Sequence, residues 1–446
     1  MKNNMLSTLC LIGLSLVSCN DDKTAMPYTP ESDGVPAYEL ADIWTAYDAF
    51  NKVYLDPRTN VYKNQSSDAA AINRWNGAAA IWCQPMYVDM AMNATNLARK
   101  TGDAERERKY TDLSRRIIDG NIDLYVNFDF DNCDETYGWF IYDDIQWWTI
   151  TMARAYQNLG DERYRTYAEK SFARVWYGSP RVGDTGSYAD PDKGLGGGMF
   201  WQWQPLRNPE ANEANHGKMS CINFPTVIAA MLLYNTVPAD RGSDPNPEKW
   251  TNKYGDFVRP AYESKQRYLE MAKEIYEWAA ANLGDMSTGK IFDNRHGETI
   301  GDGSLIYNQG TFIGASALLY LATGEQRYLD NAVAGAEYSI NEMSTPYYLL
   351  PWAHDTNNPY SQGSLEQGIY PAIWIQYMDI LVNECGQEQF RKFIERNIGY
   401  GWANRDKSRD IADGESWTST IEGAEIGSYA ASSIPSMMLL FPSSGK

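Results

Sequence analysis

The chain has 446 residues and a net charge of −19, from 39 Lys+Arg against 58 Asp+Glu. A chain this negative repels nucleic acid and anionic membrane surfaces, which excludes both as partners and favours a neutral ligand. Hydrophobic residues make up 43% of the sequence and aromatic residues 13%, including 15 Trp and 31 Tyr. This is enough for a large core and for aromatic side chains along a ligand groove.

The first 36 residues predict export followed by lipid anchoring. An apolar run follows the lysine at position 2, and residues 16–19 read Leu-Val-Ser-Cys, which resembles the lipobox of bacterial lipoproteins. Such a motif implies cleavage before Cys19 and attachment of lipid to that residue. We therefore assign residues 1–18 to a lipoprotein signal peptide and the polar, proline-containing residues 19–36 to a flexible tether. The expected location is the cell envelope, on the periplasmic or the surface side of the outer membrane.

Two kinds of helical segment alternate along residues 37–446. The charged kind opens with a glycine, a charged first turn and an aromatic residue, as between Gly160 and Tyr164 and between Gly324 and Tyr328. The glycine stops the preceding helix, and the charged turn starts the next one. Charged helices are predicted at 38–54, 103–119, 161–177, 262–283, 325–342 and 387–403, and apolar helices at 77–99, 139–159, 220–236, 305–323, 364–385 and 420–440.

This alternation predicts an all-α fold, an (α/α)6 barrel of six helical hairpins. A repeat that contains one apolar and one charged helix has the length of a helical hairpin. The apolar helices would form an inner ring and the charged helices an outer ring around one shared core. We therefore treat residues 37–446 as a single domain, the catalytic domain if the chain is an enzyme.

The most informative stretch lies at the start of the second apolar helix, where Asp143 and Asp144 interrupt an aromatic and aliphatic run. The first turn of a helix favours negative charge, and neighbouring side chains about 100° apart can line one pocket. Two buried carboxyls titrate unequally, because like charges do not both ionise cheaply. A proton donor beside an anion is what the cleavage of a glycosidic bond requires. The alternative interpretation is that the pair only caps the helix or pairs with its dipole.

The starts of the apolar helices are expected to meet at one rim of the barrel, the same rim as the Asp pair. Residues 196–198 are three glycines directly before an aromatic run that contains Trp201. Glycines suit a close approach of a ligand to the backbone, although an ordinary flexible loop would have the same composition. The remaining rim segments lie at 74–77, 137–139, 216–218, 301–304, 362–364 and 415–417.

Metal, cofactor and nucleophilic-serine chemistry have little support in the sequence. The six cysteines form no Cys-x-x-Cys pair, and two of them lie in the signal segment. Three histidines, His216, His296 and His354, do not support a histidine-based epimerase, and no Gly-x-Ser-x-Gly motif is present. We therefore expect neither a metal site nor a cofactor.

Four segments share their order and residue types with one known family. They are Asp143-Asp144 with the tryptophans at 147–148, the glycine run with its aromatics at 196–201, and the segments 218–225 and 307–310. Together they resemble glycoside hydrolase family 76, the bacterial endo-α-1,6-mannanases, from about Ala37 onward. Leu195 departs from the small residue that often precedes the glycines. The resemblance implies an (α/α)6 barrel that cuts α-1,6-mannan with retention, with Asp143 as nucleophile and Asp144 as acid/base.

The function that follows is a retaining endo-acting glycoside hydrolase that cleaves α-1,6-mannosidic bonds of mannan backbones. Its partner would be α-mannan or a manno-oligosaccharide, it would contact membrane only through its lipid, and it would act as a monomer. The alternative is a non-catalytic surface glycan-binding lipoprotein of the helical-repeat type. Such a binder needs stacking rings but not two carboxyls within an apolar helix. Hydrolysis and transglycosylation both remain open.

The remaining candidate residues would bind the sugar chain. Aromatic rings supply stacking faces, and buried amides supply hydrogen bonds to a neutral, hydroxyl-rich ligand. Trp148 lies deeper in its helix and has a core role as its alternative. The candidates for binding are Trp75, Trp139, Trp148, Gly196, Gly197, Gly198, Trp201, Asn223, Tyr307, Asn308 and Gln309.

Overall fold

The structure is a computed structural model that describes residues 34–132, 139–190, 196–202, 217–344, 350, 365–413 and 419–443. The predicted signal peptide 1–18, the lipid acceptor Cys19 and the tether as far as residue 33 lie outside these ranges, as do His216 and His354. Over the part of the chain that is described, no helix has the length and apolarity needed to cross a membrane.

Helices dominate the described residues and form two concentric rings. The inner ring closes on itself, because α2 packs on α4, α4 on α6, α6 on α8, α8 on α10, α10 on α13 and α13 on α2. The inner helices are α2 (Gln84–Thr101), α4 (Tyr142–Leu159), α6 (Ser220–Thr236), α8 (Ile306–Thr323), α10 (Tyr370–Asp379), and the pair α12 (Ser428–Ala431) and α13 (Ser433–Leu440). The outer helices are α1 (Leu40–Tyr54), α3 (Ala104–Leu124), α5 (Glu162–Tyr177), α7 (Lys265–Asn282), α9 (Gln326–Asn341) and α11 (Arg391–Ala403). The predicted all-α barrel is confirmed.

The recurring glycine and charged turn form the junction between an inner and an outer helix. Gly102, Gly160 and Gly324 end α2, α4 and α8 in the left-handed conformation, with φ between 70° and 73°. Glycine adopts this conformation without strain, and its N–H reaches back to the last carbonyls of the helix. The next residues start the outer helix: the Asp103 and Asp161 side chains accept hydrogen bonds from backbone N–H groups of the first turns of α3 and α5.

Several inner helices begin later than predicted, the first and the last by the most. The first was expected from 77 but begins at Gln84, because residues 55–83 form a short hairpin and isolated bridges instead. The last was expected at 420–440 but is divided into α12 and α13. Pro435 falls in the first turn of α13, where its missing N–H costs no helical bond. Apolar composition therefore located these helices but not their first residues.

Short antiparallel strands lie at the rims of the barrel. Strand β3 pairs with β8, and β8 with β9, next to the start of α6. The other hairpins are β1 with β2, β4 with β5, and β6 with β7. The strands are β1 (Leu55–Asp56), β2 (Val61–Tyr62), β3 (Lys218–Met219), β4 (Glu248–Asn252), β5 (Gly255–Arg259), β6 (Gly284–Asp285), β7 (Lys290–Ile291), β8 (Asn294–His296) and β9 (Thr299–Gly301).

Candidate active site

Asp143 and Asp144 lie in the first turn of α4, facing inward, with only 9% and 8% of their surface exposed. A neighbouring segment holds this end of the helix in place. Ile141 pairs with Gln202, and the Tyr142 backbone N–H donates to the Trp201 carbonyl at 3.0 Å. The carboxyls therefore sit at the N-terminal end of an inner helix, as the sequence predicted.

The two carboxyls do not titrate alike. Burial raises the pKa of Asp143 to about 7, while its contacts with the Cys221 thiol, nearby backbone N–H groups and the Trp201 indole act in the opposite direction. Burial raises the pKa of Asp144 well above its usual value, and the negative charge of Asp143 raises it further. Because the charge on Asp143 raises the pKa of Asp144, the pair loses its two protons in separate steps, and between these steps one carboxyl is protonated beside one carboxylate. This gives one acid and one anion side by side.

A cleft of about 310 Å³ opens beside Asp144. Trp75 stands at its edge with 71% of its surface exposed, and the Arg74 guanidinium lies over its ring at 4.9 Å. On the inner wall, the Trp82 indole N–H donates to the Glu366 carboxylate at 2.7 Å. The cleft is lined by Asn64, Arg74, Trp75, Ala78, Ala80, Ile81, Trp82, Asp144, Glu366 and Tyr429.

Further aromatic rings continue the wall of the site. Tyr307 stacks on Tyr370 with ring centroids 4.2 Å apart, and Trp82 lies 6.5 Å from Tyr307 and 6.4 Å from Trp147. Tyr307 keeps 8% of its surface exposed, and its electrostatic neighbours include Cys221 and Asp143. Trp75, Trp201 and Tyr307 thus lie around the carboxyl pair, where the sequence placed them.

Trp139 and Trp148 are core residues rather than stacking platforms. Both side chains have 0% exposure. The ring of Trp148 packs edge-on against Phe128 at 4.8 Å, and its N–H donates to the Ile81 carbonyl at 3.0 Å. Trp139 packs against Phe128 and Phe130. Both were predicted as ligand contacts from their position at the rim beside the Asp pair, and position along the chain does not tell whether a ring faces the cavity or the core. For Trp148 the alternative core role is the one that the structure shows.

The three glycines make room for a protein ring. Gly197 and Gly198 have φ near +75°, and a Cβ on either residue would meet the Trp278 ring at 2.4 to 2.5 Å. The Gly196 carbonyl accepts a hydrogen bond from the Trp278 indole at 3.0 Å. The sequence predicted that a ligand would closely approach these glycines, whereas the group that the structure places against them is a tryptophan ring of α7. The segment 196–202 is thereby fixed, and with it Trp201 beside Asp143.

Lys218 fastens the same segment from the other side. Its buried ammonium donates to the Gly197 carbonyl and lies 5.0 Å from the ring centroids of Phe200 and Trp278. Burial lowers the pKa of Lys218 to about 7, and the positive charge of Arg295 adds to the effect. The lysine therefore forms part of the support behind Trp201.

The predicted amide ligands are bonded within the protein. Asn223 is fully buried and exchanges hydrogen bonds with the backbone of Met199, which ties the glycine segment to α6. Gln309 bonds the backbone at Ile291 and Gly289, and Asn308 donates to the Asp293 carboxylate. These three residues support the site through hydrogen bonds within the protein and do not present their amides to a ligand.

The sequence reasoning missed Trp82, Glu366, Tyr370 and Trp278. Glu366 had a usable signal, because it is an acidic residue near the start of the apolar helix predicted at 364–385, as Asp143 is in the one predicted at 139–159. Trp82 and Tyr370 lie within predicted apolar helices and Trp278 in a charged one, and composition gives no indication of the direction of any of these rings. Among the described residues, no group of three or more His, Cys, Asp or Glu side chains is arranged to hold a metal ion.

The chain is similar to known proteins in sequence and in fold. The sequence model of glycosyl hydrolase family 76 matches residues 260–438. No curated protein sequence matches the chain.

Several solved structures share the fold. The α-1,6-mannanase of Salegentibacter sp. HEL1_6, an inactive variant with α-1,6-mannotriose bound, is 20% identical, with 90% of this chain and 98% of that chain covered and a TM-score of 0.66. A family 76 mannosidase of Bacteroides thetaiotaomicron is 18% identical, with 90% and 96% covered and a TM-score of 0.64. Dfg5 of Chaetomium thermophilum, in complex with glucosamine, is 13% identical, with 90% and 89% covered and a TM-score of 0.55. The resemblance to glycoside hydrolase family 76 is thus confirmed, by the sequence over residues 260–438 and by the fold over 90% of the chain.

Proposed function

We propose that the chain is a retaining, endo-acting glycoside hydrolase that cleaves the α-1,6-mannosidic bonds of mannan backbones. The observation that carries the proposal is the pair Asp143 and Asp144, buried at the N-terminal end of an inner helix and titrating unequally beside an aromatic cleft. The cleft suits a neutral sugar chain, because it combines exposed aromatic surface with a few polar groups.

The two carboxyls divide the work. Asp144 keeps its proton at neutral pH and gives it to the glycosidic oxygen as the bond to the anomeric carbon breaks. Asp143, the carboxylate, attacks the anomeric carbon from the opposite side and forms a covalent mannosyl-enzyme. Asp144, now ionised, takes a proton from water, whose oxygen attacks the same carbon and releases Asp143. Two inversions retain the configuration.

A solved relative supports this assignment. The Salegentibacter sp. HEL1_6 mannanase was obtained with α-1,6-mannotriose as an inactive variant in which two consecutive aspartates are replaced by asparagine. Consecutive aspartates, Asp143 and Asp144, are also what this chain buries in the first turn of α4, where Asp144 lines the cleft. The finer assignment, with Asp143 as nucleophile and Asp144 as acid/base, rests on the order of their pKa values and on the resemblance.

The decisive experiment separates hydrolysis from binding alone. Unbranched α-1,6-mannan is incubated with the protein that lacks residues 1–18, and reducing ends and product lengths are followed. We expect a ladder of oligosaccharides, whose first anomers are α by proton NMR. Binding without release of reducing ends would favour the alternative, a glycan-binding lipoprotein, and β-anomers would overturn retention. Added oligosaccharide acceptors show whether the enzyme also transfers mannosyl groups.

We also propose that the enzyme is anchored to the cell envelope through lipid on Cys19, on the strength of the lipobox at 16–19. In a bacterial host, the protein should incorporate labelled palmitate and fractionate with membranes. Cys19→Ser should abolish the labelling and release the protein. Labelling that persists in the variant would contradict the anchor. Protease treatment of whole cells then distinguishes the surface from the periplasmic side.

A further inference from the structure

Glu366 adds a third carboxyl group beside the catalytic pair. It lies in the 3-10 turn Leu365–Ile369, which leads into α10. It lines the same 310 Å³ cleft as Asp144, and its carboxylate accepts the Trp82 indole N–H at 2.7 Å. This bond fixes the orientation of the carboxylate, which can take part in several hydrogen bonds at once because it has about four acceptor positions.

Arg74 brings an opposite charge to the same cleft. Its guanidinium is held over the rings of Trp75 and Phe140, at 4.9 and 5.7 Å from their centroids. The charges of Arg74 and Glu366 act on Asp144 in opposite directions, the first lowering and the second raising its pKa. The cleft therefore offers a strong acceptor, a rigid set of donors and aromatic walls.

The position of the cleft tells which sugar it would hold. It is lined by Asp144 and not by Asp143. Under the mechanism above, the proton donor lies next to the departing sugar, whereas the nucleophile lies under the sugar that becomes covalently bound. A volume of 310 Å³ is at the lower end of the ~300–1,000 Å³ found for ligand pockets, which suits a short piece of a sugar chain.

We infer that Glu366 and Arg74 form the subsite for the leaving sugar, binding the hydroxyls of the mannose on the reducing-end side of the scissile bond. Glu366 accepts hydroxyl protons while Trp82 holds its orientation, and Arg74 donates to hydroxyl oxygens. This inference rests on the proposed function. It assigns the two residues to substrate specificity, since they contact a part of the substrate that is released and not the reacting carbon.

Binding is measured first, without turnover. In an Asp143→Asn background, α-1,6-mannotriose and mannotetraose are titrated by calorimetry, and Glu366→Ala is compared with Glu422→Ala, an exposed carboxylate elsewhere on the chain. We expect at least a tenfold weaker affinity for Glu366→Ala and no change for Glu422→Ala. Trp82→Phe, which removes the orienting N–H, should weaken binding by a smaller factor.

Turnover then separates a specificity role from a structural one. For an α-1,6-mannotetraose, Glu366→Ala should lower kcat/KM at least tenfold. For an aryl α-1,6-mannobioside, whose leaving group is a phenol, it should lower kcat/KM less than threefold. An equal loss on both substrates would overturn the inference. If Glu366→Ala does not fold, Glu366→Gln, which keeps an acceptor for Trp82, decides by the same ratio.

The two proposals fail in different ways. If the Asp143→Asn protein binds neither oligosaccharide, and the parent protein cleaves none, the proposed function falls and this inference falls with it. If the parent protein cleaves mannan while Glu366→Ala binds and cleaves as the parent does, the leaving-sugar subsite alone is overturned.

Discussion

At the scale of single residues, the proposed chemistry depends on how two adjacent carboxyls share one proton. Their type, order and place in the first turn of an inner helix were predictable, since Asp143 and Asp144 stand out within an apolar run. The direction of the rings around them was not. Trp75 and Trp139 have the same type and lie at the same predicted rim, yet one is 71% exposed and the other is fully buried.

The rate should depend on pH as a bell. In the proposed mechanism, activity requires an ionised Asp143, whose pKa is about 7, so kcat/KM falls as the pH drops below that value. It also requires a protonated Asp144, whose pKa is raised well above its ordinary value, so the rate falls again on the alkaline side. Asp143→Asn and Asp144→Asn should each lose at least a thousandfold. A flat profile between pH 5 and 9 would contradict the assignment.

The raised pKa values also predict how the stability of the protein depends on pH, and this dependence is opposite to that caused by an ordinary ion-paired aspartate, whose pKa is lowered on folding. A carboxyl whose pKa is raised by folding stabilises the protein below its unfolded pKa, and this contribution is lost as the pH rises through the folded value. For Asp143 the window runs from about 4 to about 7. Asp143→Asn, which mimics the neutral form, should therefore stabilise the protein at pH 8 by roughly 2–4 kcal/mol and have little effect at pH 4. Urea unfolding at both pH values measures this, with Glu422→Gln as control.

At the scale of elements, the junctions were the most predictable part. A glycine with positive φ and a capping aspartate stand where α2 turns into α3 and where α4 turns into α5, and both have local causes that the sequence displays. The start of α2 was missed because an apolar run also suits the bridged segment before it. The role of Gly197 and Gly198 was missed because their partner, Trp278, lies far away in the sequence.

The glycine segment supplies a test that separates strain from packing. Gly198→Ala would adopt φ +73° and place its Cβ 2.5 Å from the Trp278 ring. We expect the substitution to lower the free energy of unfolding by about 2–4 kcal/mol, because backbone strain adds to overpacking. We also expect a loss of activity, because Trp201 shifts away from Asp143. Gly183→Ala is the matched control: φ is +71°, and no described atom outside its own neighbours lies within 4 Å of the added Cβ. Equal losses in the two variants, measured by urea unfolding and mannan cleavage, would show that packing against Trp278 is unimportant.

At the scale of the whole molecule, the alternation of charged and apolar helices was enough to predict the barrel. It was enough because burial follows the same alternation: α6 and α8, two of the inner helices, are buried along nearly their whole length. A helix that is apolar all round belongs inside, and a helix with one charged face belongs outside. The cleft was less predictable, since its walls come from segments as far apart as Arg74, Glu366 and Tyr429.

The net charge of −19 leads to a test of the ligand class. A neutral oligosaccharide releases no counterions on binding, so salt screens only the charges of the protein itself. The affinity should therefore change by less than about twofold between 20 and 500 mM salt. Calorimetry on the Asp143→Asn protein measures it. A steep dependence would mean an ionic ligand and would remove the mannan assignment.

The closure of the inner ring has a consequence for connectivity. Helix α13 packs on both α1 and α2, and the Tyr38 hydroxyl donates to the Phe441 carbonyl at 2.7 Å, across almost the full domain. The two ends of the domain are therefore neighbours, and the ring has no natural beginning. A circular permutant can therefore be made by joining residues 37 and 443 through a short linker and opening the chain after Lys253, at the exposed tip of the β4–β5 hairpin. We expect this permutant to fold and to cleave mannan at near the parent rate. Deletion of α13 in the parent chain should instead expose the apolar flank of α2 and unfold the whole barrel in one transition, because an open ring leaves no separate half that buries its own core.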